Sequence, residues 1–380
     1  MALEGEVRKI LSRVQDSGLE AVRRYSAKFD DYEGELTPSA EEWDNAENIP
    51  TEDREAIDRI IERVKDHHSW QYPGDSLYNK EGSLYGFVYR PIERVGLYVP
   101  GGNPLPSSLI MQAVPAKVAG VDHITVTSPP DGGAISPHML YVARELEVDS
   151  VYKVGGVQAI GAMAFGAGME AVDKIFGPGN RYVNEAKRQV FGEVGIDALA
   201  GPSEICIVAD EGADPTTVQA DLRAQLEHGS DSRAWLLTTS KEITEIVDMS
   251  EVDVRLKSSL VKCIETSNEL APEHLELLVD SPWELLGYVR NAGAVYLGQY
   301  SPASAGDYSM GVNHVLPTGG AARYSSVLSV RDFLKEISVA EVGKREYSRI
   351  SPLGKKMAQI EGMDLHKNSM EVREDETTNE

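Results

Sequence analysis

Cysteine is nearly missing from this chain, with 2 residues, Cys206 and Cys263, among 380. They lack the spacing and companions of a thiolate metal site, and a disulfide framework would need more, so a reducing, cytoplasmic setting is expected. No run of about 18 apolar residues occurs, which excludes a membrane-spanning helix of ordinary length. The N-terminal MALEGEVRKILSRV carries charges inside its apolar stretch, where a signal peptide needs an unbroken core. Positive charge is scarce as well. The 37 Lys and Arg stand against 61 Asp and Glu, and a net charge of -24 repels phosphate backbones and anionic lipid, excluding nucleic acid and membrane as partners. Low-complexity blocks and internal repeats are lacking. So is the GxGxxG dinucleotide fingerprint, since the nearest candidate, Gly155 to Gly161, has the wrong spacing.

What is present is a globular composition, 41% hydrophobic, at a length that suits two or three domains, because single cores stop growing near about 250–300 residues. Residues 4–68 read as helical, with Val7, Ile10, Leu11 and Val14, then Ile57, Ile60, Ile61 and Val64, at three- and four-residue spacing. Short runs rich in Val, Ile and Tyr follow at 95–99, 123–127, 150–154, 174–176 and 205–209. A second round lies at 234–238, 275–279 and 294–297, around helices near 215–228, 252–269 and 282–291. Such alternation predicts an α/β fold with two Rossmann-like, doubly wound lobes behind an N-terminal helical layer. A last helix is expected from Ser351-Pro352 to Gly362, with a polar, fraying tail after it. Parallel sheets take ligands at the carboxyl ends of their strands, so the glycine-rich loops there are the places to seek chemistry: Pro100-Gly101-Gly102, Gly177-Pro178-Gly179-Asn180 and 300–326.

Four groupings carry candidate chemistry. On the helix opened by Asp214-Pro215 and closed by Gly229, Gln225 and His228 reach one place beside the buried stripe of Val218, Leu222 and Leu226; they are either a hydrogen-bonded helix end or part of a metal site. Glu273 and His274 set an acid beside an imidazole at a helix–strand junction, as a surface pair or a general acid and base. Asp307 and His314 lie in a long loop of small residues, where a metal ligand and a substrate contact compete with plain solvation. Glu361 and His366 flank Gly362 and by themselves look like surface residues. Cys206 is most simply a small buried hydrophobe, although a cysteine-dependent aldehyde dehydrogenase would use it as nucleophile.

The segments RPIERVGLYVPGG, VGGVQAIGAMAFG, VDKIFGPGNRYVNEAKR, GEVGIDALAGPSEICIVAD, QLEHG, NELAPEHLE, the stretch from NAGAVYLGQYSPASAGDYSMG to NHVLPTGGAARYSSVLSV, and IEGMDLH resemble the histidinol dehydrogenase family over nearly the whole chain. The resemblance implies a homodimer with shared active sites that oxidises L-histidinol through the aldehyde to L-histidine with NAD and one zinc ion per subunit. Gln225, His228, Asp307 and His366 match the zinc ligands, His366 coming from the other subunit. Glu273 and His274 match the acid/base pair. Ser203, His314 and Glu361, with the zinc ligands and His274, match the substrate contacts, and Tyr98, Gln158 and Asn180 the NAD contacts. The PGGNPLPSS loop is about one residue shorter than the family's usual form. The expected division is 1–98 with 207–340 as one lobe carrying the N-terminal helices, 99–206 as an NAD-binding lobe, and 341–380 as a C-terminal dimerisation segment. A related enzyme acting on another small alcohol, and a non-catalytic homologue, are the rival readings.

Overall fold

Apolar three- and four-residue spacing becomes four helices at the start of the chain: α1 (Ala2–Ser17), α2 (Leu19–Phe29), α3 (Ala40–Glu47) and α4 (Thr51–Ser69). Ser39 and Glu42 form a reciprocal capping box that sets where α3 begins. The computed structural model describes residues 2–227, 229, 231–247 and 250–375. It divides into two units, Met1–Tyr72 with Ile92–Phe333, and Pro73–Pro91 with Leu334–Glu380. A hairpin of β1 (Ser76–Lys80) and β2 (Ser83–Pro91) follows α4 and belongs to the second unit.

In the first unit the chain then alternates as expected. β3 (Arg94–Tyr98), α5 (Pro106–Ala119), β4 (His123–Ser128), α6 (Pro137–Glu145), β5 (Ser150–Lys153), α7 (Gly156–Phe165), β6 (Lys174–Phe176), α8 (Arg181–Val190) and β7 (Gly195–Ile196) build a parallel sheet of order β5-β4-β3-β6-β7. The second round is β8 (Glu204–Ala209), α9 (Pro215–Leu226), β9 (Arg233–Thr238), α10 (Lys241–Ile246), β10 (Val252–Leu256), α11 (Leu260–Leu270), β11 (His274–Leu278), α12 (Pro282–Leu286) and β12 (Ala294–Leu297). It repeats the same order as β10-β9-β8-β11-β12, again parallel. Each sheet therefore has a point where strand order reverses, between its first and fourth strands.

Every residue of β8 is buried. Ile205 and Ile207 enter the core with Val218 and Leu222 of α9, while Cys206 and Val208 face Cys263 and Ile264 of α11. Such two-sided burial is what a central parallel strand requires.

The expected lobe boundaries need correction. β3 pairs in the first sheet, and the stripe of α1, Val7, Ile10, Leu11 and Val14, packs with Val157, Ile160 and Met163 of α7 and Val183 and Val190 of α8. Each such side chain contributes about 1.5–3 kcal/mol on burial, which ties the N-terminal helices to the lobe of residues 94–196, not to that of 204–297. Gly161 makes room for this, since a Cβ there would come within 3.1 Å of Val14. The helix expected at 252–269 is instead a strand and then a helix, because Val252, Val254 and Leu256 alternate with Asp253 and Arg255.

α13 (Ala303–Tyr308) follows β12. In the second unit, β13 (Leu334–Glu341) pairs with β2 to complete a three-stranded antiparallel sheet, so this unit is larger than the 341–380 segment expected. α14 (Lys344–Ile360) begins before Ser351 and carries Pro352 inside. Of the tail expected to fray, the part through α15 (Asp364–Asp375) is helical and 376–380 lie outside the described residues; α15 is bound back to α14 by Ser351 Oγ donating to Glu374 (2.6 Å), by Lys355–Glu374 (2.5 Å) and by the Tyr347 hydroxyl on the Met370 carbonyl (2.8 Å).

Candidate active site

The carboxyl end of the first sheet and the amino end of the second border a cleft of about 580 Å³. Gly177 and Pro178 after β6 line one side, and Ser203, Glu273 and His274, at the starts of β8 and β11, line the other. The rule that placed chemistry at carboxyl ends thus holds for one sheet only. Gln225, Asp307 and His314 also line this cleft.

The junction that presents Glu273 and His274 is set by local sequence. Ala271 ends α11 at φ 52°, the left-handed C-cap that usually calls for glycine, and Pro272 stops the helix from continuing. Gly293 is required opposite, because a Cβ there would lie 2.6 Å from the Glu273 carbonyl oxygen. Glu273 is 7% exposed. Burial pushes its carboxyl up to about 8, with the charges of Asp307 and Glu204 adding to the rise and the Glu204 N–H, donating at 2.9 Å, opposing it. His274 Nε2 lies 3.8 Å from Glu273 and 4.0 Å from Asp307, and its Nδ1 is 3.3 Å from the Tyr296 hydroxyl. His314 donates from Nδ1 to the Asp307 carbonyl (2.8 Å), which fixes both its tautomer and its bearing on α13.

Gln225 is buried on α9, and its Nε2 has no hydrogen-bond partner. Amide oxygen and nitrogen exchange places on a flip of the side chain, so an electron-pair acceptor such as a metal ion would satisfy this group. Burial raises the carboxyl groups of Glu204, Glu273 and Glu276 from their ordinary value. Among the described residues no cluster of three or more His, Cys, Asp and Glu stands ready for a metal. Gln225 and Asp307 share the cleft, His228 lies outside the described residues, and Glu361 and His366 are exposed on the second unit.

A second cleft of about 680 Å³ is lined by Tyr98, Gln158 and Asn180, the three expected cofactor contacts. Gln158 donates to Asp30 (2.9 Å), the Gly156 N–H donates to the Tyr98 hydroxyl (3.3 Å), and Asn180 caps α8 by accepting from Tyr182 and Val183. Gly177 turns at φ 116°, with a Cβ position only 2.0 Å from the Tyr98 carbonyl oxygen, so only glycine lets this loop pass the end of β3. Glu6, Ile10, Phe29 and Asp30 bring α1 and α2 into the same wall.

Sequence patterns left several groups unnoticed: Glu204, Tyr296, Asp30, and the buried Lys187–Asp197 pair, whose members bond to the Gly177 carbonyl (2.8 Å) and N–H (2.7 Å). Glu204 stands next to Ser203 in the GPSE segment and was the most accessible of these to sequence reasoning. Cys206 is fully buried and its thiol is pushed up to about 12 by burial, which removes it as a nucleophile.

The histidinol dehydrogenase family model matches residues 1–259 and 249–374. A histidinol dehydrogenase of Thermococcus kodakarensis is 55% identical over 372 residues, 98% of this chain and 99% of that protein. This chain belongs to the histidinol dehydrogenase family. A crystal structure of histidinol dehydrogenase from Elizabethkingia anophelis superposes with a TM-score of 0.95 at 36% identity, over 99% of this chain and 93% of that one. An acetylating aldehyde dehydrogenase from Geobacillus thermoglucosidasius shares the fold alone, with a TM-score of 0.51 at 13% identity over 90% of this chain and 98% of that one.

Proposed function

We propose that this chain is a zinc-dependent histidinol dehydrogenase that oxidises L-histidinol through L-histidinaldehyde to L-histidine with two NAD, in cytoplasmic histidine biosynthesis. The observation that carries the reading is the buried Glu273–His274 pair facing Gln225 and Asp307 in one cleft. Gln225, His228, Asp307 and His366 from a second copy of the chain would hold zinc, which supplies Lewis-acid binding of the substrate's nitrogen groups and no redox chemistry. NAD, against Tyr98, Gln158 and Asn180, supplies the hydride acceptor.

The chain's own groups do the proton work. His274 Nε2 takes the alcohol proton as hydride leaves the carbon, while Tyr296 holds the ring from the Nδ1 side. Glu273, raised to about 8, exchanges a proton near neutrality, and so can accept one from water adding to the aldehyde. Ser203, His314 and Glu361 orient the substrate, and burial of the pair keeps bulk water from the reacting carbon.

A homodimer with shared sites is supported by α14. Its Ile350, Leu353, Met357 and Ile360 form a stripe at three- and four-residue spacing, and all four are exposed, the last at 67%. A second copy would cover that stripe and bring His366 and Glu361 with it. Among the described residues no helix is long and apolar enough to cross a membrane. The test is stoichiometry: each histidinol consumed should yield two NADH and one histidine, and release of free aldehyde with a single NADH would refute the reading.

A further inference from the structure

Two carboxyl groups lie behind the cleft without lining it. Glu276 of β11 is fully buried and Asp221 of α9 half-buried, and each has one solvent-shielded oxygen, Oε2 and Oδ2, that receives no hydrogen bond from any N–H or hydroxyl donor. The two carboxyl groups lie within hydrogen-bonding reach of each other. Two ionised carboxylates could not bond to one another, because neither donates, whereas one proton held between them satisfies both shielded oxygens at once. Burial and mutual repulsion raise Glu276, and burial raises Asp221, the direction a shared proton requires.

Their positions give the bond a purpose. Asp221 precedes Gln225 by one helical turn on α9, so both project from the same side of that helix. Glu276 follows His274 by two residues on β11 and shares its face of the strand. The other oxygen of Glu276, Oε1, accepts the backbone N–H of Ala303 at 2.6 Å, and Ala303 opens α13, the helix that carries Asp307. The three elements that deliver Gln225, His274 and Asp307 therefore meet at one pair of side chains. An apolar pair would fill the same space but would leave the Ala303 N–H buried without a partner and would fix no direction.

We propose that Asp221 and Glu276, joined through one shared proton, are positioning residues that clasp α9, β11 and α13 together and so set the spacing of Gln225, His274 and Asp307 across the cleft. The proposal rests on the reading of that cleft as a zinc site. Asp221→Asn and Glu276→Gln each put an amide N–H where the shared proton lies, at the same net charge, and in Glu276→Gln the new amide oxygen would still accept from Ala303. Asp221→Ala and Glu276→Asp withdraw one partner from the bond. Zinc affinity of the metal-free proteins is read by competition with a chromogenic chelator, alongside kcat and KM for histidinol.

Both amide variants should stay within about threefold of the parent in zinc affinity, whereas Asp221→Ala and Glu276→Asp should lose about 10- to 100-fold, as losses behind a metal ligand do, with kcat falling too. Amide variants as impaired as Asp221→Ala would overturn the shared proton. Folded Asp221→Ala or Glu276→Asp with parental zinc affinity would overturn the clasp, and if Asp221→Ala does not fold, Glu276→Asp decides. A parent protein that takes up no zinc would instead overturn the metal reading, and the proposal with it.

Discussion

Replacing Glu273 by Gln separates the two oxidations and can be sized from the site itself. The residue is 7% exposed, and Gln has nearly the same volume and can still accept the Glu204 N–H that Glu273 receives at 2.9 Å. With the carboxyl pushed up to about 8 by burial, it is protonated roughly ten to one at pH 7, so Gln copies the dominant neutral form and the fold should be kept. What is lost is the ability to take a proton. The aldehyde half-reaction, which needs water to add, should slow by about 10²- to 10⁴-fold, while alcohol oxidation, served by His274, should stay within about tenfold of the parent. Stopped-flow single turnovers begun separately from histidinol and histidinaldehyde, both followed by NADH, measure the two steps. Parental rates on the aldehyde would refute the assignment. The same substitution has a pH signature. Glu273 lies near its ordinary 4.5 in the unfolded chain and about 8 in the fold, so the folded state binds more protons in between and stability declines as pH rises through that window. Gln does not titrate. Thermal melts of the metal-free proteins should show Glu273→Gln gaining on the parent from pH 4.5 to 8, and a gap of the opposite sign would contradict the burial argument.

Cys206→Ala should keep parental kcat, because the thiol is fully buried and raised to about 12, and should cost about 1 kcal/mol of stability as an ordinary core change; loss of turnover in a folded variant would revive the cysteine-dependent reading. Exhaustive chelation should abolish turnover and added zinc restore it, and full activity in verified metal-free protein would refute the metal. His274→Ala and His366→Ala should each be inactive alone. Mixed dimers of the two should recover up to about half of parental activity, because one of the two sites then holds both intact residues, and inactive heterodimers would place His366 within its own subunit's chemistry.

Much of this was legible in the sequence where a local rule acts. The α9 register followed from Asp214, which does cap the helix by accepting the Thr216 N–H at 3.0 Å, and it put Gln225 on the buried face. Gly177-Pro178-Gly179-Asn180 was visible as a glycine-rich loop after a strand, though not the Tyr98 carbonyl that Gly177 passes. Residues 252–256 were misread because the apolar positions of α11, Cys263 and Ile264, lent a helical period to the window, while Val252-Asp253-Val254-Arg255-Leu256 on its own alternates. The α15 segment has little apolar content, and its docking rests on Ser351, Lys355 and Tyr347 meeting Glu374 and Met370, a match between distant positions that hydropathy does not register. Glu204, Tyr296 and the Asp221–Glu276 pair were missed for the same reason: each acquires its role only when strands from different parts of the chain become neighbours.

That neighbourhood also accounts for the site lying at opposite ends of two sheets of identical strand order. At its carboxyl end the first sheet turns on glycines: Gly101 and Gly102 line the cleft of the proposed cofactor contacts, and Gly177 lets its loop pass the end of β3. At its amino end the second sheet presents strand N–H groups that have no partner further along their own ladder. One of them, on Glu204 at the start of β8, donates to Glu273. The Glu204 carboxyl in turn accepts the Gly319 N–H at 3.2 Å. Amino ends of parallel strands suit carboxyl groups because they offer donors where the sheet's own pairing stops, and buried carboxyl groups beside an imidazole are what proton transfer requires. One fold used twice thus supplies both walls of the cleft that holds Glu273 and His274, while the proposed cofactor contacts line the other cleft.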